Sequence, residues 1–102
     1  MKLGITTRAI KDWSRERGLD KANPDKQFKK LIEEAGELAE AINKDLPDEE
    51  KMMEAGDVFI VLTIMMQQYG FDIEDCIELA YNKIKNREGA MVNGVFVKQS
   101  DL

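Results

Sequence analysis

The chain has 102 residues, 34% charged and 43% hydrophobic, with a formal net charge of −5, one cysteine and no histidine. This length suits one domain, and the acidic balance leaves no global basic footprint for a nucleic-acid polymer. Without histidine, Ser-His-Asp and Cys-His catalysis and imidazole-built zinc sites are excluded.

Any metal must be held by oxygen, which selects Mg²⁺, Mn²⁺ or Ca²⁺. The opening MKLGITTRAIKDW lacks the continuous apolar core of a signal peptide. The longest apolar run, VFIVLTIMM, is about half a membrane span. A cytoplasmic protein with no membrane partner is expected. Cys76 sits in DIEDCIELA at apolar helical spacing, which suits a small buried hydrophobe better than a nucleophile. A lone cysteine also rules out an internal disulfide and fits a reducing compartment.

The first helix is expected from about 7 to 17, capped by Thr6 or Thr7 and ended by Gly18. Its apolar stripe is Ala9, Ile10, Trp13 and Leu19. The second begins at NPDKQF, with Asn23 as N-cap, Pro24 in the first position and Asp25 complementing the dipole. Phe28, Leu31, Ile32, Ala35, Leu38, Ala39 and Ile42 follow at helical spacing. NKDLPDEE is a linker. The third helix runs from about 48 to 69 and stops at Gly70. It is apolar nearly all round from Val58 to Met66, which in so small a chain points to an oligomer interface. The fourth starts at Asp72 and passes through Ile73, Ile77, Leu79, Ala80 and Ile84 to Arg87, with Gly89 as terminator.

The tail MVNGVFV carries a hairpin signal, because Asn-Gly is the favoured type I′ pair between β-branched and aromatic residues. Such a hairpin is marginal alone and must pack on the helices or on a partner chain. The expected architecture is all-α, a four-helix bundle with a short C-terminal β-hairpin, oligomeric. It forms a single domain over 1–102, with the helical core at about 6–88 and the hairpin at about 90–99.

Carboxylates stand beside this core. Glu34 and Glu37 are three apart on the second helix, and Glu54 and Asp57 three apart on the third. If the two helices pack antiparallel across NKDLPDEE, the acidic pairs can meet. Four carboxylates together are tolerable only with cations between them, and hard divalent metals prefer such ligands. The competing reading is a solvated acidic face, with Lys29–Glu33 and Lys30–Glu34 as ordinary i,i+4 pairs.

Glu33-Glu34-x-x-Glu37, sixteen residues, then Glu54-x-x-Asp57 resembles the signature of the MazG-like nucleotide pyrophosphohydrolases. These belong to the all-α NTP pyrophosphatase superfamily, with dimeric dUTPases and phosphoribosyl-ATP pyrophosphohydrolases. KLIEEAGELAEAI and EAGDVFIVL are similar to the family's second and third helices. Trp13, Gln27 and NKIKNR also fit, so the likeness covers most of residues 8–88.

The resemblance implies a four-helix MazG-like bundle, assembled as a homodimer or homotetramer. It also implies hydrolysis of a nucleoside triphosphate, NTP or dNTP, between the α and β phosphates, giving the monophosphate and pyrophosphate. Glu34, Glu37, Glu54 and Asp57 would hold Mg²⁺, with Mn²⁺ as a possible substitute. Glu33 and Glu37 are the candidate bases. Lys83 and Arg87, taken as four apart on one helical face, would contact substrate. Asn82 is a further candidate, although larger relatives place the Asn one position earlier. Trp13 can stack on a base or belong to the core. The alternatives are a narrow-specificity member such as a dUTPase-like enzyme, or a non-enzymatic helical interaction module.

Overall fold

The computed structural model describes residues 3–102. In chain order it contains α1 (Leu3–Glu16), a 3-10 turn (Leu19–Lys21), α2 (Pro24–Asn43), α3 (Asp48–Gln68) and α4 (Ile73–Ile84). Strands β1 (Gly89–Val92) and β2 (Val95–Lys98) and a 3-10 turn (Gln99–Asp101) follow. The fold is all-α with a short antiparallel hairpin.

Local chemistry starts α2 where the sequence places it. The Asn23 side chain accepts a hydrogen bond from the Asp25 N–H at 2.8 Å, and Pro24 takes the first helical position. After α2 the chain turns through Asp45, at φ 49°, into α3. The two long helices lie against each other as the main layer. Gln27, Leu31, Glu34, Leu38 and Ala41, at alternating spacings of four and three, form the face of α2 that is buried or half-buried. The next row round the same helix, Phe28, Ile32, Ala35, Ala39 and Ile42, is exposed. The apolar stripe of α2 is therefore two rows wide, and the single chain covers only one of them.

On its other side α3 meets α1 and the first 3-10 turn. Thr7 and Ser14, two helical turns apart, are fully buried on α1. Glutamines of α3 tie this layer down. Gln67 Nε2 donates to the Lys11 carbonyl at 3.2 Å, and Gln68 Nε2 to the Leu19 carbonyl at 2.9 Å. Among the described residues the buried hydrophobic ones are few: Ala41, Val61, Ile64, Met65 and Ile73.

Two expectations at helix ends are corrected. Thr6 and Thr7 do not cap α1, because the helix already runs from Leu3. Thr7 Oγ1 instead lies 3.1 Å from the Gly4 carbonyl and 2.8 Å from Glu74 Oε1, its one proton serving either, and so joins α1 to the start of α4. The fourth helix ends at Ile84 rather than Arg87. Beyond Ile84, Lys85 to Glu88 offer no apolar side chain to bury, and the Arg87 N–H closes back on the Ile84 carbonyl at 2.9 Å. Lys83 and Arg87 therefore do not share a helical face.

Helix α4 begins as expected. Asp72 Oδ1 accepts from the Glu74 N–H at 2.9 Å, and Ile73 is buried. After that first turn the helix leaves α3, and Ile77, Leu79, Tyr81 and Ile84 are exposed. Asn93 and Gly94, at φ 52° and 82°, form the two-residue turn of the hairpin. Cys76 is half-buried among Met66, Phe71 and Leu79, in keeping with a packing residue.

Candidate metal centre

The antiparallel pairing of α2 and α3 brings Glu34, Glu54 and Asp57 together. One carboxylate oxygen from each lies within 4.8 Å of the other two. Glu34 sits in the buried row of α2, only 7% exposed, and Glu54 and Asp57 are half-buried on α3. Glu37 is at the rim, one helical turn after Glu34. Its carboxyl is held above the ordinary carboxylate range, first by the charge and close approach of Glu34, then by desolvation and by Glu54.

The polar accounting of this cluster does not close. Glu34 Oε2 and Glu54 Oε2 are shielded from solvent and accept no hydrogen bond from the protein. The cation nearest Glu34 is Lys30, whose Nζ lies 3.4 Å from Oε1 and 3.9 Å from the exposed Glu33. One half-exposed lysine cannot offset a buried carboxylate cluster, and uncompensated buried charge is costly. A hard divalent cation supplies what is missing. It takes several carboxylate oxygens and tolerates water in the remaining positions. The donor set, all oxygen and all acidic, fits that group.

The cluster opens into a cavity of about 500 Å³. Glu34 and Asp57 form its acidic end. Trp13 and Leu19 supply apolar wall, and Lys26, Gln27 and Lys30 line α2. Trp13 is 47% exposed, so it is cavity wall rather than core. The Arg17 guanidinium stacks 4.2 Å over its ring and donates to its carbonyl, which fixes the indole. Gln27 Nε2 donates to the Val61 carbonyl at 3.4 Å, pinning α2 to α3 two turns from Glu34 and one from Asp57. The arrangement can hold a cation among its carboxylates, and the same cavity offers two lysines and an indole face.

Of the residues singled out from the sequence, the fold assembles Glu34, Glu54 and Asp57, with Glu37 beside them and Trp13 across the cavity. Glu33 points outward to Lys30. Asn82 lines a different cavity, with Asp75, Glu78 and Leu79. Lys83 and Arg87 are exposed and are not among the residues lining the acidic cavity. Lys26 and Lys30 escaped the sequence reading as cavity residues. The signal was present, since 26, 30 and 34 are successive i,i+4 positions ending on the buried glutamate.

The sequence model of the MazG nucleotide pyrophosphohydrolase domain matches residues 23–92. An uncharacterized 18.2 kDa protein in the rep-hol intergenic region of Haemophilus phage HP1 (strain HP1c1) is 41% identical over 64 residues, covering 62% of this chain and 39% of that protein. The match thus spans about two fifths of the phage protein's length. The uncharacterized protein YvdC of Bacillus subtilis (strain 168) is 31% identical over 102 residues, covering 85% of this chain and 96% of that one. No solved structure matches the chain.

Proposed function

This chain belongs to the MazG nucleotide pyrophosphohydrolase family, and on that premise we propose that it hydrolyses nucleoside triphosphates, NTP or dNTP, to the monophosphate and pyrophosphate. The observation that carries the reading is the pair of buried carboxylate oxygens without partners, Glu34 Oε2 and Glu54 Oε2, at the end of a cavity faced by Trp13 and two lysines. Glu34, Glu54 and Asp57, with Glu37 at the rim, would hold Mg²⁺, or Mn²⁺ in its place. When bound, the metal neutralises phosphate oxygens and lowers the pKa of a water.

The protein's own groups do the rest. Lys26 and Lys30 are placed to pair with phosphate oxygens, and Trp13 to stack on the base. The oxygen of the attacking water bonds to phosphorus as the α–β bridging bond breaks, and pyrophosphate leaves. The water's proton passes to a carboxylate. Glu37 and Glu33 are the candidate bases, and Glu37 is the one that adjoins Glu34 and Glu54.

The helices that leave α4 and the outer row of α2 uncovered support a homodimer or homotetramer. Lys83, Arg87 and Asn82 then reach substrate only if that assembly, or a movement of α4, brings them to the cavity. Among the described residues no helix is long and apolar enough to cross a membrane.

The test is product analysis after incubation with each common NTP and dNTP and Mg²⁺. Monophosphate and pyrophosphate in equal amounts, lost in Asp57→Asn, are expected. Diphosphate and orthophosphate, or no turnover of any nucleotide, would overturn the reading.

A further inference from the structure

We propose that the C-terminal hairpin is a clasp that docks onto a second copy of this chain. In a two-stranded ribbon, side chains alternate between two faces. The register pairs Met91 with Phe96 on one face, and Ala90 with Val97 and Val92 with Val95 on the other. Both faces are therefore apolar, yet Met91, Val92, Val95 and Phe96 are 67%, 42%, 63% and 48% exposed. The hairpin pairs with itself and touches the closing 3-10 turn, but it has no more than marginal contact with any helix. A lone hairpin of this kind is marginal in water. One covered face would need one polar face, as in most antiparallel sheets. Lys98, opposite Gly89 at the end of the Met91–Phe96 face, is the one charged side chain of the ribbon, so neither face is a polar one and the ribbon suits a place between two surfaces.

The size of the uncovered surface identifies the occupant. A compact monomer of 11.6 kDa exposes about 5,800 Å². This chain exposes 7745 Å², an excess of about 1,900 Å² over that scaling. Its Cα radius of gyration is 16.3 Å against about 13 Å for a compact domain of this length. Two copies each shedding the excess would bury about 3,800 Å² in total, within the range of obligate homodimers.

The same chain carries the receiving surface as well. The bare row Phe28, Ile32, Ala35, Ala39 and Ile42 on α2 is unmatched within the protomer, and its alanines let another element approach closely. A two-fold assembly uses such a donor and such an acceptor twice each. The family match ends at Val92, the last residue of β1, so the turn and β2 lie beyond it.

The clasp rests on the self-association proposed above and not on the chemistry, so its readouts are mass and contact. Light scattering and sedimentation of the wild type should give a multiple of 11.6 kDa. Phe96→Asp should raise the dissociation constant at least about tenfold, as expected for a buried aromatic anchor, with helical circular dichroism retained. Isotope-filtered NMR on a mixture of labelled and unlabelled native protein covers the case in which the variant misfolds. Phe96 and Met91 should show contacts to the other copy. A monomeric wild type would overturn both self-association and clasp. An oligomer whose mass ignores Phe96→Asp, or in which Phe96 and Met91 contact only their own chain, would overturn the clasp alone.

Discussion

At the scale of single residues, function and stability pull against each other at the acidic cluster. Glu34 is buried beside Glu54 and Asp57, and among the described residues Lys30 is its one ion-pair partner, so the metal-free protein bears repulsion that a neutral side chain would relieve. Glu34→Gln should therefore melt at a higher temperature than wild type without metal. Added Mg²⁺ should raise the melting temperature of wild type and not of the variant, because only a bound state gains by mass action. Paired thermal melts with and without Mg²⁺ check both parts.

Asp72 behaves in the opposite way. Its carboxylate accepts from the Glu74 N–H and pairs with Lys11, and both hold its pKa below the ordinary range. A depressed carboxylate pKa gives stability that is present above the unfolded value and lost as pH falls through the folded one. Asp72→Ala should cost about 1 kcal/mol at neutral pH, a deficit that shrinks in strong acid. Denaturant melts at the two pH values measure it.

The acidic motif was legible in the sequence, because spacings of three on consecutive antiparallel helices fix which carboxylates can meet. Which of the five would be buried was not, since periodicity places a residue on a face without saying how deeply the neighbour covers it. Lys30 reads in sequence as an ordinary surface partner of Glu34 for the same reason, and Lys26 is not singled out.

At the scale of elements, the parts with purely local causes were foreseeable. Asn23-Pro24-Asp25 starts α2 by capping, and Asn93-Gly94 turns the hairpin by positive φ, and both stand as expected. The ends of α1 and α4 depend on tertiary burial and were not. Thr7 looks like a cap in sequence, but its hydroxyl serves Glu74, 67 residues away. Helix α4 ends at Ile84, where the next four residues, Lys85 to Glu88, offer no apolar side chain. The hairpin adds a test of its own. A Cβ at Gly89 would lie 2.1 Å from the Val97 carbonyl oxygen and 2.6 Å from the Phe96 ring. Backbone cannot yield that distance, so Gly89→Ala should break the β1–β2 register while leaving the helices intact. Loss of cross-strand amide contacts in NMR, with unchanged helical circular dichroism, is the expected result.

At the scale of the whole molecule, the chain has more apolar surface than it can cover. The two-row stripe of α2 and the bare length of α4 show why the sequence could signal burial but not the burying partner. Both rows have helical spacing, and one is satisfied within the protomer. With the self-association proposed above, the melting temperature should rise as protein concentration rises. A series of melts across a hundredfold range, about two decades of mass action, detects it.

Lys83 and Arg87 do not line the acidic cavity, so the chemistry proposed for it rests on Glu34, Glu54, Asp57 and the residues of that cavity. The most direct test of the central claim is turnover of the NTP and dNTP panel with Mg²⁺ by wild type and by Glu34→Gln, with products resolved by chromatography. The account predicts monophosphate and pyrophosphate from the wild type and a loss of at least about 100-fold in the variant, the several kcal/mol that a held metal contributes. Equal turnover by both proteins, or none by either while the folded wild type binds Mg²⁺ no better than the variant, would contradict it.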